Sequence, residues 1–374
     1  METDGRHCGS AAGLHIGIDA RVLSGKLTGI GRYISELMRQ LDVLMPDSQF
    51  YLYGRGPLSI PLPSSRWHVR TDRGWGAKLP GGFWSRLRLH ALSRRDPLNV
   101  FWAAITLLPW RARVPVVTTI YDLNHVIVPG SMALTNRLAH SLWFGTSVRN
   151  AASRVAISQG TADRTRDIYG VVCEAVARPA APADFVQALA SGARGQPRER
   201  PYLLSVGTHE PRKNLAALIE AVGMLKLRGE IPHHDLVLVG GKGWGDKLPP
   251  HIRDLASEPW CVSTGFVSDA SLVQWYAGAD AFVFPSIYEG FGIPLVEARA
   301  CGTRIIATDL PELREAGGGN AIYTGTSPSD IADAILRSLA TPHPGRDPDA
   351  LEEGWAASAE ALAEQLWASA SITR

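Results

Sequence analysis

In SIYEGFGIPLVEA, residues 286–298, the acids Glu289 and Glu297 stand eight positions apart. Gly290, Phe291, Gly292 and Pro294 lie between them. The preceding DAFVFP (280–285) reads as a buried strand, and PLVEARAC as a helix ended by Gly302. Pro294 suits the first helical position. Gly290, Gly292 and the helix start would then present bare N–H groups, which suit a phosphate. Carboxylates bind vicinal hydroxyl pairs well, because each oxygen accepts one O–H. A nucleotide sugar laid across this loop would set its sugar beside one acid and its ribose beside the other. The plainer reading is a dipole-favoured Glu297 in the first helical turn and an incidental loop Glu289. The glycine loop behind a buried strand favours the ligand.

SVGTHEPRKNL (205–215) is the second constellation. A strand ends at Gly207, and Arg212, Lys213 and Asn214 open a helix. Two adjacent cations at a strand's carboxyl end can neutralise a diphosphate, Arg by forked hydrogen bonds and Lys as a point charge. In LTGIGRYISEL (27–37), Gly29 and Gly31 open a helix, but Ile34 stands where a dinucleotide fingerprint needs a third glycine. A loop that lets backbone approach a ligand remains. In VVTTIYDLNH (116–125), Tyr121 and Asp122 fall at a strand end facing the expected cleft. A packing Tyr and a helix-starting Asp fit that segment equally well. Walker-type, HExxH and GxSxG motifs do not occur, and His233–His234 has no paired ligand, so no metal site is expected.

These residues need a frame that brings strand ends together. Apolar runs at 14–20, 50–54, 99–103, 114–122 and 154–158 read as strands. A helix covers 30–41, and another starts near Thr161 as its N-cap. Residues 175–201 turn rich in Pro, Ala, Gly and Arg and read as the domain linker with a short helix inside. Strands resume at 202–207, 235–240, 261–265, 280–285 and 303–308, with helices at 214–229, 270–278, 294–301 and 328–340. Continuously apolar strands fit parallel sheets covered on both faces. The expectation is an α/β chain of two Rossmann-like domains facing a cleft. Its parts are a disordered lead (1–13), a first domain (14–182), a linker (183–200), a second domain (201–350) and a C-terminal helix (351–374). That helix should cross back to the first domain.

Composition sets the outer limits. The chain has 374 residues, too many for one ordinary core. A net charge of +2 leaves partners to the local distribution of charge. Four singly scattered cysteines imply neither zinc nor a disulfide framework, so reduced thiols in a cytoplasmic protein are expected. No secretory signal or run of ~18 apolar residues is present. Residues 66–113 carry ten Arg/Lys against two Asp, interleaved with Trp67, Trp75, Phe83, Trp84, Trp102 and Trp110. That pattern fits an anionic membrane surface and, equally, a basic surface over core tryptophans. No nucleic-acid motif accompanies it.

EGFGIPLVE and VGTHEPRKNL together resemble the family 4 retaining glycosyltransferases of the GT-B fold. VLVGGKGWG (237–245), the segment 265–286 and TGIGRY are similar to that family too, over roughly residues 14–345. The resemblance implies that Arg212 and Lys213 hold the donor diphosphate and act catalytically with Glu289, which would contact the transferred sugar. Gly290, Phe291 and Gly292 would supply backbone donors, and Glu297 would bind the ribose. Phe266 and Val267 would lie near the base, and Gly29 and Gly31 near phosphate or acceptor. Tyr121 and Trp102 stand where the family commonly has His, and an Ala/Pro run at 179–183 replaces its Asn-Gly.

The implied activity is retaining, metal-independent transfer of a hexose, mannose from GDP-mannose, to a lipid-linked or polysaccharide acceptor. No cofactor is implied. Peripheral contact with the inner face of the plasma membrane would suit such an acceptor. The alternatives are a nucleotide-sugar epimerase of the same architecture and a non-catalytic nucleotide-sugar-binding subunit.

Overall fold

A computed structural model describes residues 13–25, 27, 29–192, 197–241, 248–344 and 354–372. Residues 1–12 of the expected lead, most of the GGKGWG segment and the 345–353 connector lie outside them. Gly13 belongs to the folded body rather than to the lead. A Cβ there would fall 1.7 Å from the Asp47 carbonyl oxygen.

The first sheet holds β1 (His15–Asp19), β2 (Gln49–Gly54), β3 (Trp67–Thr71), β4 (Val100–Ala103), β5 (Val116–Ile120), β6 (Ser153–Ala156) and β7 (Ala175–Val176). Their order is β3-β2-β1-β4-β5-β6-β7, all parallel. The second holds β8 (Tyr202–Val206), β9 (Asp235–Val239), β10 (Cys261–Gly265), β11 (Ala281–Phe284), β12 (Ile305–Thr308) and β13 (Ile322–Thr324). Its order is β10-β9-β8-β11-β12-β13, again all parallel. Each sheet reverses its winding once, between β1 and β4 and between β8 and β11. Ligands of open parallel sheets sit at such points, beyond the carboxyl ends of the strands.

Alternation along β4 explains the layers. Val100 and Trp102 pack under the helices Gly29–Leu44 and Trp355–Ser371. Phe101 and Ala103 face the opposite way, toward Trp84 and Leu89 of the helices Gly81–Leu87 and Leu89–Ser93. Trp102 therefore belongs to the core, its Nε1 donating to Thr119 Oγ1 at 2.8 Å. Among the described residues the last helix begins at Trp355, and it does cross to the first sheet. Trp355 Nε1 donates to the Ala181 carbonyl at 3.0 Å, and Ser153 Oγ donates to Gln365 at 2.9 Å.

Two local expectations need correcting. The cap of the helix Gln159–Tyr169 is Ser158, whose Oγ accepts from the Thr161 N–H at 2.9 Å; Thr161 is already inside. Pro294 is the second residue of the helix Ile293–Cys301, because Gly292, at φ 116°, is its cap. The short helix expected inside the linker is Ala183–Ala190, and its Phe185 meets Tyr276 edge-on at 6.0 Å.

Candidate active site

The β8–β11 adjacency brings Arg212 and Lys213 to Glu289 across 76 residues of sequence. Lys213 Nζ lies 2.5 Å from Glu289 Oε1, and Arg212 Nη1 bonds Glu289 Oε2. Arg212 Nε bonds Glu210 at 2.9 Å. The Ile287 N–H donates to the Arg212 carbonyl at 2.7 Å, so the two loops are stitched by backbone as well.

Burial pushes the Glu289 carboxyl up, but Lys213 and Arg212 outweigh it and hold its pKa below the usual range. Burial also works against the Arg212 charge, and Glu289 and Glu210 more than offset it. Glu289 is thus an ionised, 8% exposed acid clasped by two cations.

Gly207 follows β8 at φ 148°, and its amide donates to the Val239 carbonyl. A Cβ on neighbouring Gly240 would lie 1.9 Å from the Gly207 oxygen. The strand ends touch because Gly240 lacks a side chain, and Gly207 is there for its positive φ.

The acids 289 and 297 have separate surroundings. Glu297 is 4% exposed and accepts from the Tyr276 hydroxyl at 2.9 Å. Burial raises its pKa to about 7, with Tyr276 opposing the shift. Arg32 of the first domain and Asp269 of the second pair nearby at 3.1 Å.

A cleft of about 550 Å³ joins these groups. Its walls include Gly29, Tyr121, Asp122, Gly207, Arg212, Lys213, Phe266, Val267, Glu289, Gly290, Phe291, Gly292 and Glu297. Phe266 is 62% exposed, and its ring packs on Gly241, where a Cβ would fall 2.0 Å from Phe266 Cε2.

Gly31 is not on the wall. A Cβ there would press Leu27 Cδ2 at 3.0 Å and the Val22 oxygen at 3.2 Å, so this glycine serves packing of the turn. Tyr121 lines the cleft with its ring alone. Its hydroxyl donates away from the cleft, to the Ala104 carbonyl at 2.9 Å. Asp122 faces Arg212 and Glu289, and burial raises its pKa.

The cleft is closed. Ser158 Oγ and Thr161 Oγ1 donate to the Gly290 carbonyl at 2.7 and 3.0 Å. The Tyr288 hydroxyl accepts from the Leu123 N–H at 2.9 Å. Arg164 pairs with Glu312 and Arg178 with Glu315, each at 2.5 Å. The sequence reading missed Glu210, Tyr276, Tyr288, Arg32 and Asp269. Glu210, Tyr288 and Arg32 lie inside the quoted motifs, overshadowed by the charged pair and the glycines beside them; Tyr276 and Asp269 lie outside them, and only the fold brings them to the site. No group of three or more potential metal ligands occurs among the described residues.

Two parallel sheets facing across a closed cleft, with a cationic loop and a glycine loop at one switch point, define the GT-B class of glycosyltransferase folds. Residues 188–353 match the family model "Glycosyl transferases group 1". The chain is similar to proteins named mannosyltransferases. Over 140 residues it is 36% identical to O-antigen chain mannosyltransferase B of Escherichia coli, covering 37% of this chain and 36% of that protein. Over 151 residues it is 34% identical to phosphatidyl-myo-inositol mannosyltransferase of Mycolicibacterium smegmatis, covering 39% and 36%. The matches thus span little more than a third of these relatives. Sucrose-phosphate synthase from Thermosynechococcus elongatus shares the fold over 95% of this chain and 99% of its own, with TM-score 0.73 and 18% identity. WaaG, a glycosyltransferase involved in lipopolysaccharide biosynthesis, does so over 96% and 98%, with TM-score 0.63 and 15% identity.

Proposed function

We propose that the chain transfers a hexose, mannose from GDP-mannose, to a glycan or lipid-linked acceptor with retention at the anomeric carbon. One observation carries this reading. Arg212, Lys213 and Glu289 converge with the Gly290–Gly292 loop where the second sheet reverses its winding, in a cleft of about 550 Å³. The mannosyl donor rests on the relatives' names.

In this reading the donor diphosphate lies against Arg212, Lys213 and the loop amides. Glu289 grips sugar hydroxyls and holds both cations in place before the donor arrives. The bond from the anomeric carbon to the diphosphate breaks, and its electron pair goes to the leaving oxygen. The acceptor oxygen bonds to the same face, and its proton passes to the diphosphate. Preoriented cations stabilise that developing charge without reorganisation, and no metal is called for. Glu297 accepts from the ribose hydroxyls, and Phe266 and Val267 meet the base. The first-domain wall, with Gly29, Tyr121 and Asp122, receives the acceptor. A lipid-linked acceptor would require this side of the molecule to reach a membrane.

Arg212→Ala should lower kcat on the order of 10²–10³-fold, the cost of one such donor. Single-turnover transfer from GDP-mannose measures it, with circular dichroism as the check on folding. Wild-type turnover in a folded variant would sink the assignment. A thermal-shift panel of nucleotide sugars tests the donor. A donor at a hundred times its Kd adds about 2.7 kcal/mol, and a panel in which GDP-mannose stabilises least overturns the mannose choice.

A further inference from the structure

Residues 66–162 contain thirteen Arg/Lys and three acids, Asp72, Asp96 and Asp122. All three acids are turned inward. Asp72 is 3% exposed and pairs with Arg88. Asp96 pairs with Arg70 and accepts from the Tyr53 hydroxyl. Asp122 faces Arg212 in the cleft. The outer face built from these residues therefore presents cations and no carboxylate.

That face is also apolar. The helix Leu134–Asn150 exposes Leu134, Leu138 and Leu142 at 75, 52 and 55%. Their four-residue spacing sets them in one row. The helix Gly81–Leu87 lies beside it: a Cβ at Gly82 would fall 2.6 Å from Ala139 Cβ, and Phe83 meets Trp143 edge-on at 4.9 Å. This second helix exposes Leu87, and its Arg86 carbonyl accepts from the amide of exposed Trp110. Trp75 is 73% exposed, with the Arg88 guanidinium over its ring. Of the aromatics in the basic stretch, Trp67, Trp84 and Trp102 are core. Within that stretch, Trp75 and Trp110 are the aromatics that stand largely in solvent.

Arg94, Arg95, Arg111 and Arg113 are exposed close by. A cavity of about 170 Å³ opens between Arg94 and Arg113, over Phe101, Pro109 and Val114. Asp96 also lines it, its charge already met by Arg70.

We infer that this layer is a docking surface for an anionic lipid bilayer. Leucine and tryptophan side chains would sit at headgroup depth, and arginines would meet lipid phosphates. A row of leucines with interfacial tryptophans needs an apolar phase as well as negative charge, which a bilayer supplies and a nucleic acid does not. The inference rests on the transfer reading only for its purpose, and the surface stands without it.

Co-sedimentation with vesicles tests it, comparing phosphatidylcholine alone with phosphatidylcholine plus phosphatidylglycerol at low and high salt. The expected result is binding only to the anionic vesicles, weakened by salt. Leu138→Glu with Leu142→Glu should abolish it. Arg94→Glu, Arg111→Glu and Arg113→Glu together should lower partitioning at least roughly hundredfold. Leu227→Glu, at an 88% exposed site of the second domain, should bind like wild type. Thermal shift by GDP should survive in every variant, which separates lost docking from lost fold or donor site. No binding to anionic vesicles at low salt would overturn the inference. So would binding unchanged in both surface variants, or equal retention on a salt-sensitive RNA column.

Discussion

Glu297 is a carboxyl group set to titrate near neutrality. Its pKa rises from an ordinary 4.5 to about 7 because burial disfavours its charge, against the Tyr276 hydrogen bond. Between those values the folded chain holds a proton that the unfolded chain has released. Its contribution to stability is therefore full below the unfolded value and is lost as pH rises through 7, by about 3 kcal/mol. Glu297→Gln should flatten that part of the stability profile, read as urea midpoints on either side of neutrality. Nucleotide binding should run the other way. If the ionised acid accepts from the ribose, affinity for GDP increases as pH rises through 7. Tyr276→Phe removes the hydroxyl that favours the charge, so the midpoint should move upward. A calorimetric affinity that stays flat across this window would remove Glu297 from the ribose site. Both glutamates were legible as acids in a ligand loop. Their opposite protonation was not, because it depends on Lys213 and Tyr276, placed beside them by the fold.

At the scale of elements, the loop after β11 works through a small number of backbone contacts. A Cβ at Gly290 would lie 1.8 Å from the Tyr121 carbonyl oxygen. Gly290→Ala should push the loop off the first domain and weaken nucleotide binding, with little change at either sheet. Ser158 has two duties, capping its helix and bonding Gly290. Ser158→Ala should cost about 1 kcal/mol for the cap and a further ~1 kcal/mol for the cross-cleft bond, measured by urea unfolding. The sequence marked β1, β2, β4–β6, β8, β9, β11 and β12 as buried, largely apolar strands; β10 (CVSTG), an edge strand with no buried residue, was marked as well. The sequence did not mark β3, a mostly half-buried edge strand with the polar pattern WHVRT, nor the two- and three-residue strands β7 and β13. Those edges are too short or too polar to stand out. Ser158 was hidden for a related reason, since it reads as the last residue of RVAIS rather than as the cap of the helix Gln159–Tyr169.

At the scale of the whole molecule, the first domain supplies arginines and the second carboxylates to the three ion pairs that cross the cleft among the described residues: Arg32–Asp269, Arg164–Glu312 and Arg178–Glu315. Partly exposed pairs contribute ~0.2–1 kcal/mol each, and salt screens them. Closure should therefore loosen in high salt, seen as a larger radius of gyration in X-ray scattering. Arg178→Glu should open the cleft, and adding Glu315→Arg should restore it. A radius unchanged by salt and by Arg178→Glu would show that packing alone holds the halves together. Each half's chemistry could be read separately from the sequence, but the charge match between them needed both folded surfaces.

The helix Trp355–Ser371 gives the molecule a particular history. The first sheet needs it to cover the face that carries Val100, Trp102 and Val117, yet the whole second sheet is synthesised in between. On the ribosome the earlier half must wait, one apolar face unsheathed, while the later half folds. A cut in the linker would then release not two domains but one complete domain and one missing its last layer. Supplying residues 354–372 as a separate peptide should rescue it.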